Sequence, residues 1–190
     1  MAILIDIGES LKKFFQKEII ELSDENSIVF ESPADVESPV NPKLSIFLYD
    51  IVENSFQRNP EPEFIGKDKM RYPPLILDLY YIFTPYAKNR ETELLILEKI
   101  FQMFHDNPVL KGDKLKDSLK GTGNDEIRVV PNNLKFDDMN KLWERFPNKP
   151  FKLSASYILT PVSFPSGRPI AGIKRVIEKD IKMYQLEAGK

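Results

Sequence analysis

The sequence predicts an α/β fold of the α+β kind: a mainly antiparallel mixed sheet of long strands, flanked by amphipathic helices. Three observations carry this. Pro73 to Tyr86 alternates with a period of two over an unusual length. Leu44 to Arg58 and Phe151 to Phe164 repeat the same alternation. Between and before these stretches, apolar residues recur three and four apart, as on one face of a helix.

In Pro73 to Tyr86, Leu75, Leu77, Leu79, Tyr81 and Phe83 share one face, and Ile76, Asp78, Tyr80, Ile82 and Thr84 share the other. Successive side chains of a strand point to opposite sides, so the first face is fully buried and the second is covered in part. Such a strand spans roughly 40 Å and belongs at the centre of the sheet. Pro85 donates no hydrogen bond, so regular pairing stops there or moves to an edge. Tyr157-Ile158-Leu159-Thr160-Pro161 repeats Tyr81-Ile82-Phe83-Thr84-Pro85 at all but one position. Either these are equivalent strands of one sheet, each released by a proline, or Tyr, Ile, Thr and Pro are simply what strand ends contain.

In chain order, Asp6 and Glu9 have capping-box spacing. Leu11, Phe14, Phe15, Ile19 and Leu22 follow at helical spacing, which predicts a helix from about Ile7 to Glu21 with Phe14 and Phe15 in the core. Ser23 to Lys43, with Pro33, Pro39 and Pro42, reads as a long extended connection of the kind that wraps or contacts a neighbour. In the next strand, Leu44, Ile46 and Leu48 oppose Phe47, Tyr49 and Ile51. Asp50 breaks the first stripe, and a bulge near it would bring Val52 inward. Asn59 to Tyr72 is a charged link between two long strands, predicting an antiparallel hairpin with a projecting tip. Phe64 and Ile65 on that tip are candidate partner contacts, or else they fold back onto the body.

Asn89, followed by Glu91 and Glu93, caps a helix with Leu94, Leu97, Ile100, Phe101 and Phe104 on its apolar face. This helix is expected to cover the second face of the central strand and to stop near His105, ahead of Asn107-Pro108. Asp106 to Glu126 reads as a mobile surface segment, Ile127 to Leu134 as a strand with Pro131 near a bulge or edge. Asp137 is expected to cap a short helix bearing Met139, Leu142, Trp143 and Phe146. From Phe151, one strand face carries Phe151, Leu153, Ala155, Tyr157 and Leu159, and a wet face carries Lys152, Ser154 and Ser156. After the turn at Pro165 to Pro169, Gly172 to Glu187 fits either a helix (Ile173, Ile177, Ile181, Tyr184) or a strand (Ile181, Met183, Gln185). The domain reading is a body at 1–165 and a C-terminal tail at 166–190.

Composition narrows the function. With 190 residues the chain is long enough for a core without staples, and zero cysteines leave no thiol chemistry. A net charge of -2 argues against a broad nucleic-acid footprint. No apolar run approaches the ~20 residues of a membrane helix, and the N-terminus makes a poor signal peptide. A phosphate cradle fails at Lys111, Lys114, Lys116 and Lys120, because the glycines lack the order of a P-loop. His105 is the lone histidine, without a nucleophile or second ligand, and sits where an imidazole meets a helix C-terminus. Asp50 and Asp78, inside apolar strands, are the remaining acid–base pair to consider. No catalytic, cofactor or metal constellation emerges, so the chain reads as a non-enzyme without cofactors.

Six strings, SIFLYDIVEN at 45–54, YPPLILDLYYIFTPYA at 72–87, EKIFQMFHDNPVL at 98–110, EIRVVPNNL at 126–134, DDMNKLWERF at 137–146 and PFKLSASYILTPV at 150–162, stand in this order. Together they resemble the N-terminal domain of the cap, or tail-terminator, proteins of extracellular contractile injection systems, relatives of contractile phage tails. The resemblance implies a phage tail-terminator-like subunit. It would form a hexameric ring on the distal end of tube and sheath, stop their polymerisation and hold the last sheath ring. Its partners would be itself, sheath subunits and inner tube subunits, with no nucleic acid and no membrane insertion. Assembly would be cytoplasmic, within a particle that can be released. Longer relatives carry an extra C-terminal domain, whose role is not carried over. Sheaths of such systems build by strand donation, which makes the C-terminal residues Arg175, Ile177, Ile181, Met183 and Tyr184, or the Ser23 to Lys43 segment, candidate partner contacts. The alternatives are a binding module or assembly chaperone that forms no ring, and a nucleic-acid-associated protein acting through Lys111 to Lys120.

Overall fold

The computed structural model describes residues 2–37, 39–58, 61–65, 69–146 and 149–172. Helix α1 spans Ile3–Glu18. Strand β1 (Ile28–Val29) and strand β2 (Lys43–Glu53) follow, then the short β3 (Glu63–Ile65) and β4 (Lys69–Arg71). Strand β5 (Leu75–Tyr86) leads to helix α2 (Arg90–Asp106). Next come β6 (Val109–Lys111), β7 (Glu126–Pro131), helix α3 (Phe136–Trp143), β8 (Ala155–Phe164) and β9 (Ala171–Gly172). The main sheet has the order β1-β2-β5-β8-β7-β6, antiparallel throughout except where β1 lies parallel to β2. Strands β3, β4 and β9 form a separate small sheet. This is the mixed, mainly antiparallel α+β architecture expected.

The core lies on one face of the sheet. Leu79, Tyr81 and Phe83 of β5 face α1 and α2, and Phe15, Phe83, Phe104 and Tyr157 meet there with ring centroids 4.6 to 6.0 Å apart. Tilted and edge-on rings at this spacing add to their area burial. Helix α2 therefore packs on the first face of β5, not on the second as expected. The second face is covered by α3 instead: Phe47 of β2 stacks edge-on with Phe146, and Trp143 contacts Phe146 and Phe151. Periodicity showed that a cover exists without showing which helix supplies it.

Several element ends differ from expectation for local reasons. Helix α1 begins at Ile3, and Ala2 caps it with no side-chain bond. Asp6 does not close a capping box: its carboxylate instead meets Lys116, 3.1 Å away and distant in sequence. Ser10 donates to the Asp6 carbonyl and accepts from the Lys116 amide, which ties the segment after β6 to α1. With Leu115, Leu119 and Asn124 buried, 106–126 is a packed segment rather than a surface one. Asp137 is not the cap of α3, since Lys135 holds that position without a side-chain bond. Asn89 caps α2 as expected, its side chain accepting from the Thr92 amide at 2.8 Å.

A register shift at Leu48/Asp50 supplies the expected bulge, but it sets Ile51 opposite the core residue Leu79 and Val52 opposite Asp78. Val52 thus faces away from the core and stays exposed. Pairing of β5 with β8 ends at Phe83, while its ladder with β2 continues through Pro85 to Tyr86, so the proline falls on an edge. The two similar pentapeptides are adjacent antiparallel strands, with Tyr81 directly opposite Tyr157. Pro161 does not release β8: the strand passes through it, the Thr160-Pro161 bond being cis, and runs to Phe164. Phe151 and Leu153 are not strand residues and remain exposed, because β8 first finds a partner at Ala155. Nor is the Ser156 face wet. Asn132 donates to the hydroxyls of Tyr49 and Ser156 at 2.8 and 3.1 Å beneath the α3 cover.

Candidate assembly interface

The small sheet is an arm at one end of the body. It interrupts the link between the two longest strands, where Glu63–Ile65 pairs with Lys69–Arg71 as an antiparallel hairpin. Arg71 pairs with Glu63 at 3.3 Å across it. Strand β9 adds to the other side of β4, with Met70 opposite Ala171 and Lys69 opposite Gly172. Just before β9, the Arg168 guanidinium lies 5.0 Å from the Tyr72 ring centroid, at the foot of the arm. Phe64 keeps half its surface in water and Ile65 is half-buried. The hairpin thus brings Phe64 and Ile65 into one small sheet with the start of the C-terminal segment. Arg175, Ile177, Ile181, Met183 and Tyr184 lie outside the described residues.

The second feature is the outer edge of β2. Strand β1 pairs only with Leu44 and Ser45. Among the described residues, no strand pairs with the outer side of Ile46–Glu53. Beside this edge runs a groove of about 270 Å³, lined by Leu4, Ile5, Gly8, Glu9, Phe30 and Leu48. Gly8 lets Phe30 pack closely on α1: a Cβ there would stand 3.1 Å from the Phe30 ring. Ile5 is 65% exposed and Phe30 43%. The sequence reading missed these residues. The signal was the apolar run Ile28-Val29-Phe30 inside the long connection, too short to show alternation.

Other candidates resolve into structural roles. Asp78 accepts from Asn54 at 2.8 Å and from the Thr160 hydroxyl, while Asn54 caps the turn at Phe56 and Gln57. Asp50 accepts from the Ile51 amide at 2.8 Å. The pair is thus used at two separate irregularities of the sheet. Of the lysines considered for nucleic acid, Lys111 meets Glu126 at 3.7 Å, Lys116 meets Asp6 and Lys120 meets Asp117 at 2.6 Å. The Asp117 carboxyl is held below its usual range by the Lys120 hydrogen bond. A cleft of about 560 Å³ beside α1 and α2 carries Lys13, Lys99 and Lys114 together with Glu18, Asp106 and Asp113. His105 is exposed in the last turn of α2. Among the described residues no cluster of His, Asp or Glu could hold a metal ion, and no helix is long and apolar enough to cross a membrane.

A buried ionic knot fixes the end opposite the arm. Glu93 on α2 accepts from Lys152, from Arg90 at 3.0 Å and from the Ala87 amide at 3.3 Å. Burial pushes its carboxyl up, but the Lys152, Arg90 and Ala87 hydrogen bonds outweigh that and hold it below the ordinary range. The Lys152 ammonium lies 4.9 Å from the Tyr86 ring centroid, and the Tyr86 hydroxyl donates to the Pro33 carbonyl at 2.9 Å.

The domain is thus a mixed sheet with both faces covered, carrying a small separate sheet and an open edge on β2. Solved structures share that fold. One is the sheath/tube terminator of an extracellular contractile injection system, PVC, in the extended state, with a TM-score of 0.60 and 20% identity. Another is the tube terminating cap of the anti-feeding prophage, AFP, with a TM-score of 0.59 and 14% identity. They cover 95% and 94% of this chain, which in turn spans 65% and 61% of theirs. The family model of the Pvc16 N-terminal domain matches residues 6–177, and the chain belongs to that family. No curated protein matches the chain.

Proposed function

We propose that this chain is a structural cap, a tail terminator, of a contractile injection system. A homo-hexameric ring of it sits on the distal end of the inner tube and sheath, stops their polymerisation and anchors the last sheath ring. The observation that carries this reading is the agreement of fold over nearly the whole chain with two terminator subunits, together with membership of the Pvc16 N-terminal domain family. Its partners are itself, sheath subunits and tube subunits, with no nucleic acid, no membrane insertion and no catalytic step. It assembles in the cytoplasm and leaves as part of the particle. Residues 1–165 are the terminator body, and 166–190 are an arm to a neighbouring subunit or to the sheath. Phe64 and Ile65, with Arg175, Ile177, Ile181, Met183 and Tyr184, supply contacts. The exposed half of Phe64 and the pairing of β9 with the same hairpin support that assignment.

Light scattering across a concentration series, with electron microscopy of the same sample, tests the ring. A cyclic hexamer of the 22.0 kDa chain weighs roughly 130 kDa. A protein that stays monomeric must then close rings on added tubes and fix their length. If it binds tube subunits yet leaves tubes growing, it is a ringless binding module or assembly chaperone.

A further inference from the structure

The open edge of β2 has a geometry that selects its occupant. Strand β1 leaves it after Ser45, and the register shift at Leu48/Asp50 ends its regular run, so the free ladder is centred on Ile46–Tyr49. An unpaired edge beside an apolar groove is a template for an added strand. One flank of the groove carries Ile5, Phe30 and Leu48, and Glu9 supplies a carboxylate among them. Asp50 and Glu53 make the strand itself acidic at its far end.

The direction of β9 points to a donor. Strand β4 runs toward β5, and β9 is antiparallel to it. Strand β9 therefore runs away from β5 as it reaches Gly172. The next residues are Ile173-Lys174-Arg175-Val176-Ile177, and the family match still includes them. In extended form Ile173, Arg175 and Ile177 share a face. That face offers two isoleucines to the apolar flank and a guanidinium to Glu9.

Resting on the ring reading above, we infer that the outer edge of β2 and its α1 groove accept, as an added strand, residues 173–177 of a neighbouring copy. Donor and acceptor are different surfaces of one chain. The contact is head-to-tail, the type that closes into rings when the rotation permits. Apolar burial holds the strand, and the Arg175–Glu9 pair sets its register.

The absence of cysteine makes the test direct. Full-length Ile5→Cys and Ile177→Cys chains are mixed and oxidised. A cross-link between the two chains is expected, and the double variant should lock whole rings. In a charge-reversal cycle, Arg175→Glu and Glu9→Arg should each weaken self-association roughly tenfold, and the combination should restore it. A cross-link confined within one chain overturns the inference, because the segment then folds onto its own groove. Intact rings without the cross-link and without the charge effect overturn it while leaving the cap reading standing. Neither rings nor capped tubes with the unaltered chain removes the cap reading and this inference together.

Discussion

The body and the arm of this molecule are built on the same ladder chemistry at different scales. In the body, β2 and β5 pair over almost their whole lengths, and the aromatic knot of Phe15, Phe83, Phe104 and Tyr157 closes against them. In the arm, no strand exceeds 3 residues among the described residues, and Phe64 keeps 50% of its surface in water. Ladders this short do not stand alone. The difference teaches that the body is stabilised by what it buries, whereas the arm buries little and is held by short backbone ladders and its attachment to the body. Substitutions in the body should therefore change stability, and substitutions in the arm should change assembly.

The largest expected effect is at the knot. Phe104→Ala should destabilise the chain by about 3–5 kcal/mol, since a buried ring in contact with four others leaves a cavity. Urea denaturation reads this directly. A loss no greater than that of an arm substitution would erase the contrast between the regions.

Next is the ionic knot. Glu93→Ala should cost about 2 kcal/mol, because it strands Lys152 in a partly buried place. The carboxyl is held below its ordinary value of 4.5 in the fold. Its stabilisation is therefore present above that value and lost as pH falls through the depressed one. An acid titration of stability should be shallower for the variant than for the wild type. Parallel curves would show that Glu93 contributes no pH-dependent stability.

These two sites also mark what could be read in advance. Strand β5 was legible because its alternation reports a property of the strand itself. So was α2, whose Asn89 cap bonds within its own first turn. The errors arose where a residue is used by something remote in sequence. Asp6 and Glu9 had the spacing of a cap, but Lys116 takes the Asp6 carboxylate. Phe151 and Leu153 alternate like a strand, but β5 pairs with this stretch only as far as Ala155. Of the candidate interface, Phe64 and Ile65 were visible as an apolar pair in a charged link. The groove was not, because it exists only once β1 leaves β2 early and Phe30 turns over Gly8.

A smaller effect separates the knot's aromatic member. Burial, with Glu93 nearby, pushes the Tyr86 hydroxyl from 10.0 up to about 12. Stability from this group is complete below the ordinary value and is lost as pH rises through the raised one. Tyr86→Phe should cost about 1 kcal/mol at neutral pH, for the hydrogen bond to Pro33. It should also flatten stability between the two values. A variant that declines there as steeply as the wild type would assign the alkaline loss to Tyr81 or Tyr157, whose hydroxyls burial also pushes up.

The smallest effect on stability should accompany the largest on assembly. Phe64→Ser removes a side chain already half in water, so unfolding should shift by no more than about 0.5 kcal/mol. Strand pairing at this position is a main-chain matter, with Phe64 opposite Met70 and both amides retained. If the arm presents Phe64 to a partner, the variant should fold as the wild type does while ring mass falls or tube length loses its limit. Equal loss of stability and of capping would mean that Phe64 belongs to the body's packing, and the division between a self-sufficient body and a presenting arm would have to be redrawn at Tyr72 and Arg168, where the two meet.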